Sequence, residues 1–192
     1  MTNPKQKPRT RAPAPGLDPA RSLGAQSLRA SRRLRRIIQA AQAQPLLRKL
    51  GPKPSAKSVA KTRIPTEWTL EVEVIGSARM KRLNGSYRGM DYATDVLSFP
   101  APDVFYQQGF LGELVICGPV LERQAKELGH SVQTELDVLL IHGVIHLLGL
   151  DHERGEKEAA EMARLEALLM KSLGRKTASG LIERSRSGKP LG

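Results

Sequence analysis

Residues 138–152 read Val-Leu-Leu-Ile-His-Gly-Val-Ile-His-Leu-Leu-Gly-Leu-Asp-His and hold three of the four histidines in the chain. His142 and His146 are four residues apart, which places both imidazoles on one face of an α-helix. Gly149 follows at a point where a helix that ends in the left-handed conformation needs a residue without Cβ. The chain can then reverse and bring His152 back toward the first two rings. The stretch predicts a helix that carries nitrogen ligands for one metal ion.

This spacing, His-x-x-x-His-x-x-Gly-x-x-His, is that of the metzincin zinc site with one difference. The glutamate that acts as general base in that site is replaced by Gly143. An unpaired imidazole inside so apolar a helix costs on the order of 1–3 kcal/mol, and a shared metal would satisfy both rings. The pattern favours a metal site with an open fourth position over a pair of core histidines. The apolar run is also shorter than the roughly 20 residues that cross a bilayer.

Charge is distributed unevenly along the chain. Up to residue 66 there are 16 Lys and Arg and one acidic residue, Asp18, whereas the whole chain has 31 basic and 19 acidic residues. This basic third indicates a polyanionic partner such as RNA, but its composition also fits a membrane-surface helix or an organelle-targeting segment. Cys117 is the only cysteine, which excludes an internal disulfide framework and fits a reducing compartment. With no signal-peptide or transmembrane pattern near the N-terminus, we expect a soluble, cytoplasmic protein, or an organellar one if the basic segment is a transit peptide.

Composition divides the chain into four segments. They are a disordered basic and Pro-rich extension at 1–26, a basic helix and linker at 27–63, a compact single domain at 64–173 and a disordered tail at 174–192. In the second segment, apolar residues at helical spacing predict a helix from Ser27 to about Gln44, which Pro45 interrupts.

In the compact segment, strands and helices alternate irregularly. Apolar periodicity and capping residues predict strands at 68–75, 96–100 and 111–117 and helices at 77–83, 119–128, 131–148 and 156–173. Ser77 and Ser131 are the expected N-caps, and Asn84-Gly85-Ser86 is expected to end the first of these helices. The fold class is therefore α+β (mixed α/β), with a small, mostly antiparallel or mixed sheet packed by helices and a metzincin-like metal helix.

Other polar residues invite a functional interpretation. Arg88 is a candidate anion contact, because its guanidinium matches the geometry of phosphate or carboxylate. Thr94 and Asp95 are expected to fix hydrogen bonds of the loop and strand rather than to catalyse. His130 is expected to have a local role at the start of the histidine helix. Asp151 is a candidate partner that would orient a ligating ring.

Three motifs in the compact segment resemble one family. The stretch His-Gly-Val-Ile-His-Leu-Leu-Gly-Leu-Asp-His at 142–152 is similar to the signature of the YbeY-type rRNA maturation factors, in which a Gly follows the first histidine. The family's Asn-x-x-Tyr-Arg and Thr-Asp-Val-Leu-Ser-Phe-Pro stretches match residues 84–88 and 94–100. A Gly-acid-apolar strand matches 112–116, with Glu113 where Asp is more usual.

The resemblance covers roughly residues 64–172 and implies a single-strand-specific, metal-dependent endoribonuclease. It implies action in 3′-end maturation of small-subunit rRNA and in late ribosome quality control, with single-stranded RNA and the ribosome as partners and no membrane. By position, His142, His146 and His152 would bind one zinc ion, and Arg88 would lie in the substrate cleft. A metal-bound water would then attack or act as base, while Arg88 stabilises charge that develops on the phosphate.

Two rival functions stay open at this point. One is a zinc hydrolase of another class, such as a metallopeptidase, and the absence of a Glu after His142 counts against it. The other is a non-catalytic ribosome-assembly factor with a structural zinc ion. Structural zinc sites usually close with four protein ligands, so an open position would favour catalysis.

Overall fold

The computed structural model describes residues 19–48, 67–106, 108–150 and 155–175. In these ranges the elements are α1 (Pro19–Ala43), α2 (Pro45–Arg48), β1 (Thr69–Ile75), α3 (Ser77–Arg88), β2 (Val96–Pro100), α4 (Asp103–Tyr106), β3 (Phe110–Cys117), α5 (Gly118–Glu127), α6 (Val132–Leu147) and α7 (Glu156–Ser172). The predicted α+β class is confirmed. Most of the predicted extension, linker and tail lies outside the described residues. Among those that are described, no helix is long and apolar enough to cross a membrane.

The sheet has three strands in the order β1-β3-β2. β3 pairs in parallel with β1 and antiparallel with β2, so of the two sheet types that the sequence left open, mostly antiparallel or mixed, the sheet is mixed. β3 takes the central position because most of its side chains are buried. β2 ends at Pro100, which lacks an N–H for a further ladder partner and suits an edge strand.

β3 divides its side chains between two cores. Leu114 and Ile116 lie in the larger core with α6, whereas Val115 and Cys117 lie in a smaller core with Met80 of α3. Because successive residues of a strand point to opposite faces of a sheet, α6 and α3 cover opposite faces. The histidine helix and the helix that ends at the predicted anion contact are therefore separated by the sheet.

The basic helix α1 is part of the larger core. It begins at Pro19, upstream of the predicted start at Ser27, and proline is well suited to a first helical position. Its apolar side chains are buried in the same core as α6, namely Ala30, Leu34, Ile37, Ile38 and Ala41. The Ser27 hydroxyl accepts a hydrogen bond from Val74 N–H at 2.9 Å, so α1 also provides a partner for one backbone donor of the edge strand β1. The described part of 27–63 thus shares its core with the domain that follows.

Helix α3 is longer than predicted. Asn84, Gly85 and Ser86 do not end it, and the helix continues to Arg88 before Gly89 closes it at φ 71°. The Asn84 side chain is buried and donates to the Tyr92 carbonyl at 2.9 Å, a tertiary hydrogen bond that offsets the low helix propensity of this sequence.

The predicted N-cap of α3 is wrong as well. Gly76 occupies the N-cap position, and Ser77 is already helical. The Ser77 hydroxyl lies 3.7 Å from the Cys117 sulfur instead of capping the helix. Between β2 and β3 lies the single-turn helix α4, which the sequence did not predict. The β2, α5 and α6 predictions are confirmed, including Ser131, whose hydroxyl accepts from Thr134 N–H at 3.1 Å.

Candidate metal centre

Helix α6 presents its two histidines near its C-terminal end. The helix ends at Leu147, and Gly149 has a φ of 92°, as the turn prediction requires. Gly149 N–H donates to the His146 carbonyl at 2.9 Å, and Leu150 N–H donates to the Ile145 carbonyl at 3.3 Å. These bonds satisfy carbonyls of the last turn and reverse the chain beside the rings.

The two imidazoles converge through their Nε2 atoms. Nε2 of His142 and Nε2 of His146 are 3.1 Å apart, with the ring centroids 4.6 Å apart and the planes at 76°. Two nitrogens at zinc–nitrogen distances of about 2.0–2.1 Å in tetrahedral geometry stand about 3.3 Å apart. The observed pair is within a few tenths of an ångström of that separation. The residues present therefore fit a shared metal ion.

Glu166 of α7 holds the first of these rings. Its Oε1 lies 2.7 Å from Nδ1 of His142, and the glutamate is fully buried. An ionised carboxylate only accepts hydrogen bonds, so Nδ1 carries the proton and Nε2 of the neutral ring keeps its lone pair. This is the carboxylate–histidine arrangement that orients metal ligands and raises their basicity.

The sequence did not identify Glu166. Apolar spacing in α7 predicts an inward face of Ala160, Ala163, Leu165, Leu168 and Leu169. In the structure Ala160 and Leu168 are exposed, and the buried residues are Met162, Leu165, Glu166, Leu169 and Met170. The helix is rotated so that a carboxylate falls within its apolar stripe. A glutamate four residues after one buried methionine and four before another is the signal that could have pointed to it.

The third predicted ligand, His152, lies outside the described residues, as does Asp151, the predicted orienting partner. Within the described ranges, no group of three or more His, Cys, Asp and Glu side chains is arranged to hold a metal ion. The three-histidine set therefore stays a prediction, of which two members are brought together.

Gly143 is required for the packing of α6 against the sheet. A Cβ built at this position would lie 2.6 Å from Cδ2 and 2.9 Å from Cδ1 of Leu114. Leu114 is itself fully buried in β3, so it has little room to move. Gly143 allows α6 to approach the sheet closely and does not open space beside the histidines.

Arg88 is the last residue of α3, and its side chain is exposed. The preceding residue, Tyr87, packs edge-on against Phe99 of β2 with the ring centroids 4.8 Å apart. On the other face of the sheet, Gly143 in the C-terminal half of α6 meets Leu114, whose partner in β2 is Ser98. The end of α3 and the C-terminal half of α6 thus lie at the same level of the β2–β3 pair, with edge strand β2 between them. The role of Arg88 in a substrate cleft stays a prediction.

Thr94, Asp95 and His130 make the local contacts expected of them. Asp95 Oδ1 accepts from Val96 N–H at 2.8 Å and from the Thr94 hydroxyl at 3.1 Å, which fixes the start of β2. Nε2 of His130 lies 2.6 Å from a carboxylate oxygen of Glu135 in the first turn of α6.

The sequence of the chain matches a known protein family. The model of the family described as "Endoribonuclease YbeY" matches residues 38–174. The relatives described as "Endoribonuclease YbeY" include one from Aquifex aeolicus (strain VF5), 42% identical over 106 residues, which are 55% of this chain and 71% of that protein. A relative from Pseudomonas putida (strain W619) is 48% identical over 107 residues, 55% of this chain and 68% of that protein. One from Bdellovibrio bacteriovorus (strain HD100) is 52% identical over 96 residues, 47% of this chain and 61% of that protein.

Among solved structures, the chain is similar to the solution structure of TM1509 from Thermotoga maritima. The TM-score is 0.46 with 23% identity, over 84% of this chain and 93% of that chain. The family model covers well over half of the sequence, and it spans both α6 histidines, Glu166 and Arg88. The predicted resemblance is confirmed, and the chain belongs to the endoribonuclease YbeY family.

Proposed function

We propose that this protein is a metal-dependent endoribonuclease that cuts single-stranded RNA at the histidine pair of α6, with the 3′ end of small-subunit rRNA as its substrate. The observation that carries the proposal is the 3.1 Å approach of the two Nε2 atoms, with Nδ1 of His142 held by buried Glu166. Membership of an endoribonuclease family supplies the substrate class, RNA, and the reaction class, phosphodiester cleavage.

His142 and His146 would hold the metal, with His152 as the third ligand. Zinc is the ion we propose, because a set of neutral imidazoles suits it and three protein ligands leave a position open. A bound zinc ion supplies Lewis acidity, which polarises a phosphoryl oxygen and acidifies a water molecule. Glu166 keeps the Nδ1 proton on His142, so that this ring presents a lone pair in one fixed direction.

Arg88 would contact the scissile or a neighbouring phosphate. Its guanidinium carries a permanent positive charge and can donate two parallel hydrogen bonds to phosphate oxygens. The position of α3 supports this role, because its end is level with the C-terminal half of α6 across edge strand β2. An RNA strand that runs along the β2 edge would pass both.

A peptidase mechanism is not supported by the site. A metzincin protease needs a carboxylate at the position after the first histidine, and here that position is Gly143. The buried Leu114 side chain fills the space where any Cβ at this position would project. The site thus lacks both the protease base and the room for it.

The proposal is tested with a single-stranded fragment of the small-subunit rRNA 3′ end and with the same fragment annealed to its complement. We expect the wild type to cut the single strand and to spare the duplex. Arg88→Ala should lower the cleavage rate about a hundred-fold, as loss of a charge-stabilising donor does in other enzymes. Arg82→Ala, which removes an exposed arginine from the same helix, is the matched control and should cut like the wild type.

Metal content is measured on the same preparations, and it should be equal in the wild type and both arginine variants. A wild type that holds one zinc ion per chain and cuts neither RNA would favour the assembly-factor function instead. If Arg88→Ala and Arg82→Ala cut equally fast, the role assigned to Arg88 is wrong.

A further inference from the structure

A cavity lined mainly by charged side chains lies away from the histidines, where α1, α6 and the end of α7 meet. The cavity has a volume of about 100 Å³ and is lined by Arg33, Arg36, Asp137, Leu173, Gly174 and Arg175. Asp137 precedes His146 by nine residues on α6, which is two and a half turns, so the two side chains leave the helix in opposite directions. The cavity therefore belongs to a different surface from the metal centre.

Buried Asp137 holds two of the three arginines in place. Arg33 donates through Nε at 2.5 Å and through Nη2 to the two carboxylate oxygens, and its Nη1 donates to Gln133 at 3.1 Å. Arg175 donates through Nε to the same carboxylate at 3.1 Å. Asp137 is 2% exposed, whereas the side chains of Arg33 and Arg175 are 19% and 36% exposed, so the arginines are the more accessible groups of the cavity lining. Side chains already fixed in this way lose little entropy when a ligand binds.

Three guanidinium groups and one carboxylate leave the cavity with a net charge of about +2. Arg36 is exposed, and among the described residues it makes no hydrogen bond or ion pair. Arg32 and Arg29 lie one and two turns before it on α1 and are also exposed, which continues the positive charge along the helix. The cluster has room for a group the size of one phosphate and lacks the negative charge that would balance it.

We propose that Arg33, Arg36 and Arg175 bind a backbone phosphate of the RNA substrate, outside the cleavage site. This inference rests on the proposed function for the identity of the polyanion. The three arginines lie at the two ends of the stretch 38–174 that matches the family model, Arg33 and Arg36 before it and Arg175 directly after it. The site would anchor long RNA without taking part in the chemistry.

RNA is favoured over an anionic membrane by the packing of α1. A helix that lies on a bilayer inserts an apolar face between the lipids. The apolar face of α1 is already used, because Leu34, Ile37 and Ile38 are buried in the protein core. The side chains that α1 leaves exposed include four arginines, at positions 29, 32, 35 and 36, which suit a phosphate backbone.

The test measures the affinity of the full chain for a single-stranded RNA of rRNA sequence at several salt concentrations. Arg36→Gln should weaken binding about three- to ten-fold and reduce the slope of log affinity against log salt by about 0.7, the loss of one phosphate contact to a single strand. Arg36→Lys keeps the charge and should retain the slope. Arg164→Gln removes an exposed arginine from α7 and is the matched control, with wild-type affinity and slope expected.

Equal affinity and slope for wild type and Arg36→Gln would overturn the anchoring site, whatever the cleavage assay shows. A wild type that binds RNA with the predicted Arg36 dependence but never cuts it would leave the site standing and refute only the proposed cleavage. A further experiment measures the binding of the wild type and of Arg36→Gln to vesicles that contain phosphatidylserine. If Arg36→Gln loses vesicle binding and keeps RNA binding, the surface is a membrane contact and the proposal is wrong.

Discussion

Glu166 places a carboxylate in a fully buried position, where a charged group is costly unless its oxygens are hydrogen-bonded. Its contact with Nδ1 of His142 provides such a bond at 2.7 Å. The same contact selects the tautomer in which Nε2 keeps its lone pair and can bind a metal. Glu166 is therefore a positioning residue, which acts on the metal through His142.

Glu166→Ala should weaken zinc binding by about 10- to 100-fold, the usual cost of losing a residue that orients a ligating histidine. Glu166→Gln should weaken it less, because the amide oxygen can still accept from Nδ1–H although the charge is lost. Chelator competition measures the affinity, and a thermal melt checks that each variant is folded. Wild-type zinc affinity in a folded Glu166→Ala variant would show that the contact does not support the metal.

Gly143 is the second residue whose identity is set by its surroundings. Gly143→Ala should destabilise the protein by about 1–3 kcal/mol, because the new Cβ would meet the buried Leu114 side chain. Gly85→Ala is the matched control in the interior of α3, where the new Cβ has only Met90 O nearby, at 3.7 Å. That change should be neutral or stabilising by about 0.5–1 kcal/mol. Urea unfolding of both variants measures the difference, and equal stabilities would contradict the close approach of α6 to β3.

The contacts between site residues were predictable from the sequence only where the residues lie close together along the chain. The pairing of His142 and His146 follows from the helical period alone, and so does the need for glycine at 149. Glu166 comes from another helix, and its contact with His142 depends on how α7 is rotated about its axis against α6. A rotation of this kind is decided by packing, which the apolar pattern of α7 leaves ambiguous between neighbouring faces.

At the scale of elements, α1 determines whether the basic segment is an appendage or part of the domain. Ile37→Ala should cost about 2–5 kcal/mol, because Ile37 is fully buried in the core that α1 shares with α6. Leu28→Ala, on the same helix at a position that is 55% exposed, should change the stability by less than about 0.5 kcal/mol. Denaturant unfolding followed by far-UV circular dichroism gives both values. Equal, small effects would mean that α1 does not contribute to the core.

Elements were predictable where propensity and tertiary contacts agree. The alternation of β1, the Pro100 stop of β2 and the Ser131 cap of α6 each carry their own local signal. The C-terminal half of α3 does not, because Asn84-Gly85 favours a turn and is kept helical by the Asn84 hydrogen bond to Tyr92. The start of α1 at Pro19 had a usable signal in the proline itself, which fits the first turn of a helix.

At the scale of the whole molecule, metal binding should be coupled to stability. Zinc that binds only the folded state adds about 2.7 kcal/mol at a free concentration 100-fold above its Kd. The melting temperature of the wild type should therefore rise with zinc and fall on chelation, whereas that of His146→Ala should not respond. Differential scanning calorimetry at matched protein concentration measures this. A similar rise in both proteins would place the zinc away from the α6 pair.

The α+β class was predictable from the order of strands and helices in the compact segment, whereas that order left open whether the small sheet is mixed or mostly antiparallel and which helix covers which face. The distribution of charge was visible in the sequence too, but the arginine cluster around Asp137 was not. In that cluster Arg33 is 104 residues before Asp137, and Arg175 is 38 residues after it. No local sequence motif links the three residues. The predicted cytoplasmic location stays a prediction.

The central claim is that the α6 histidines hold a metal that RNA cleavage requires. Its most direct test adds zinc stepwise to metal-free wild type and to metal-free His146→Ala, and follows cleavage of the single-stranded rRNA 3′-end fragment. The account predicts that wild-type activity starts near zero and saturates at one zinc per chain, and that His146→Ala stays inactive throughout. Metal-free wild type that cuts as fast as the zinc-loaded protein, or His146→Ala that gains full activity, would contradict it.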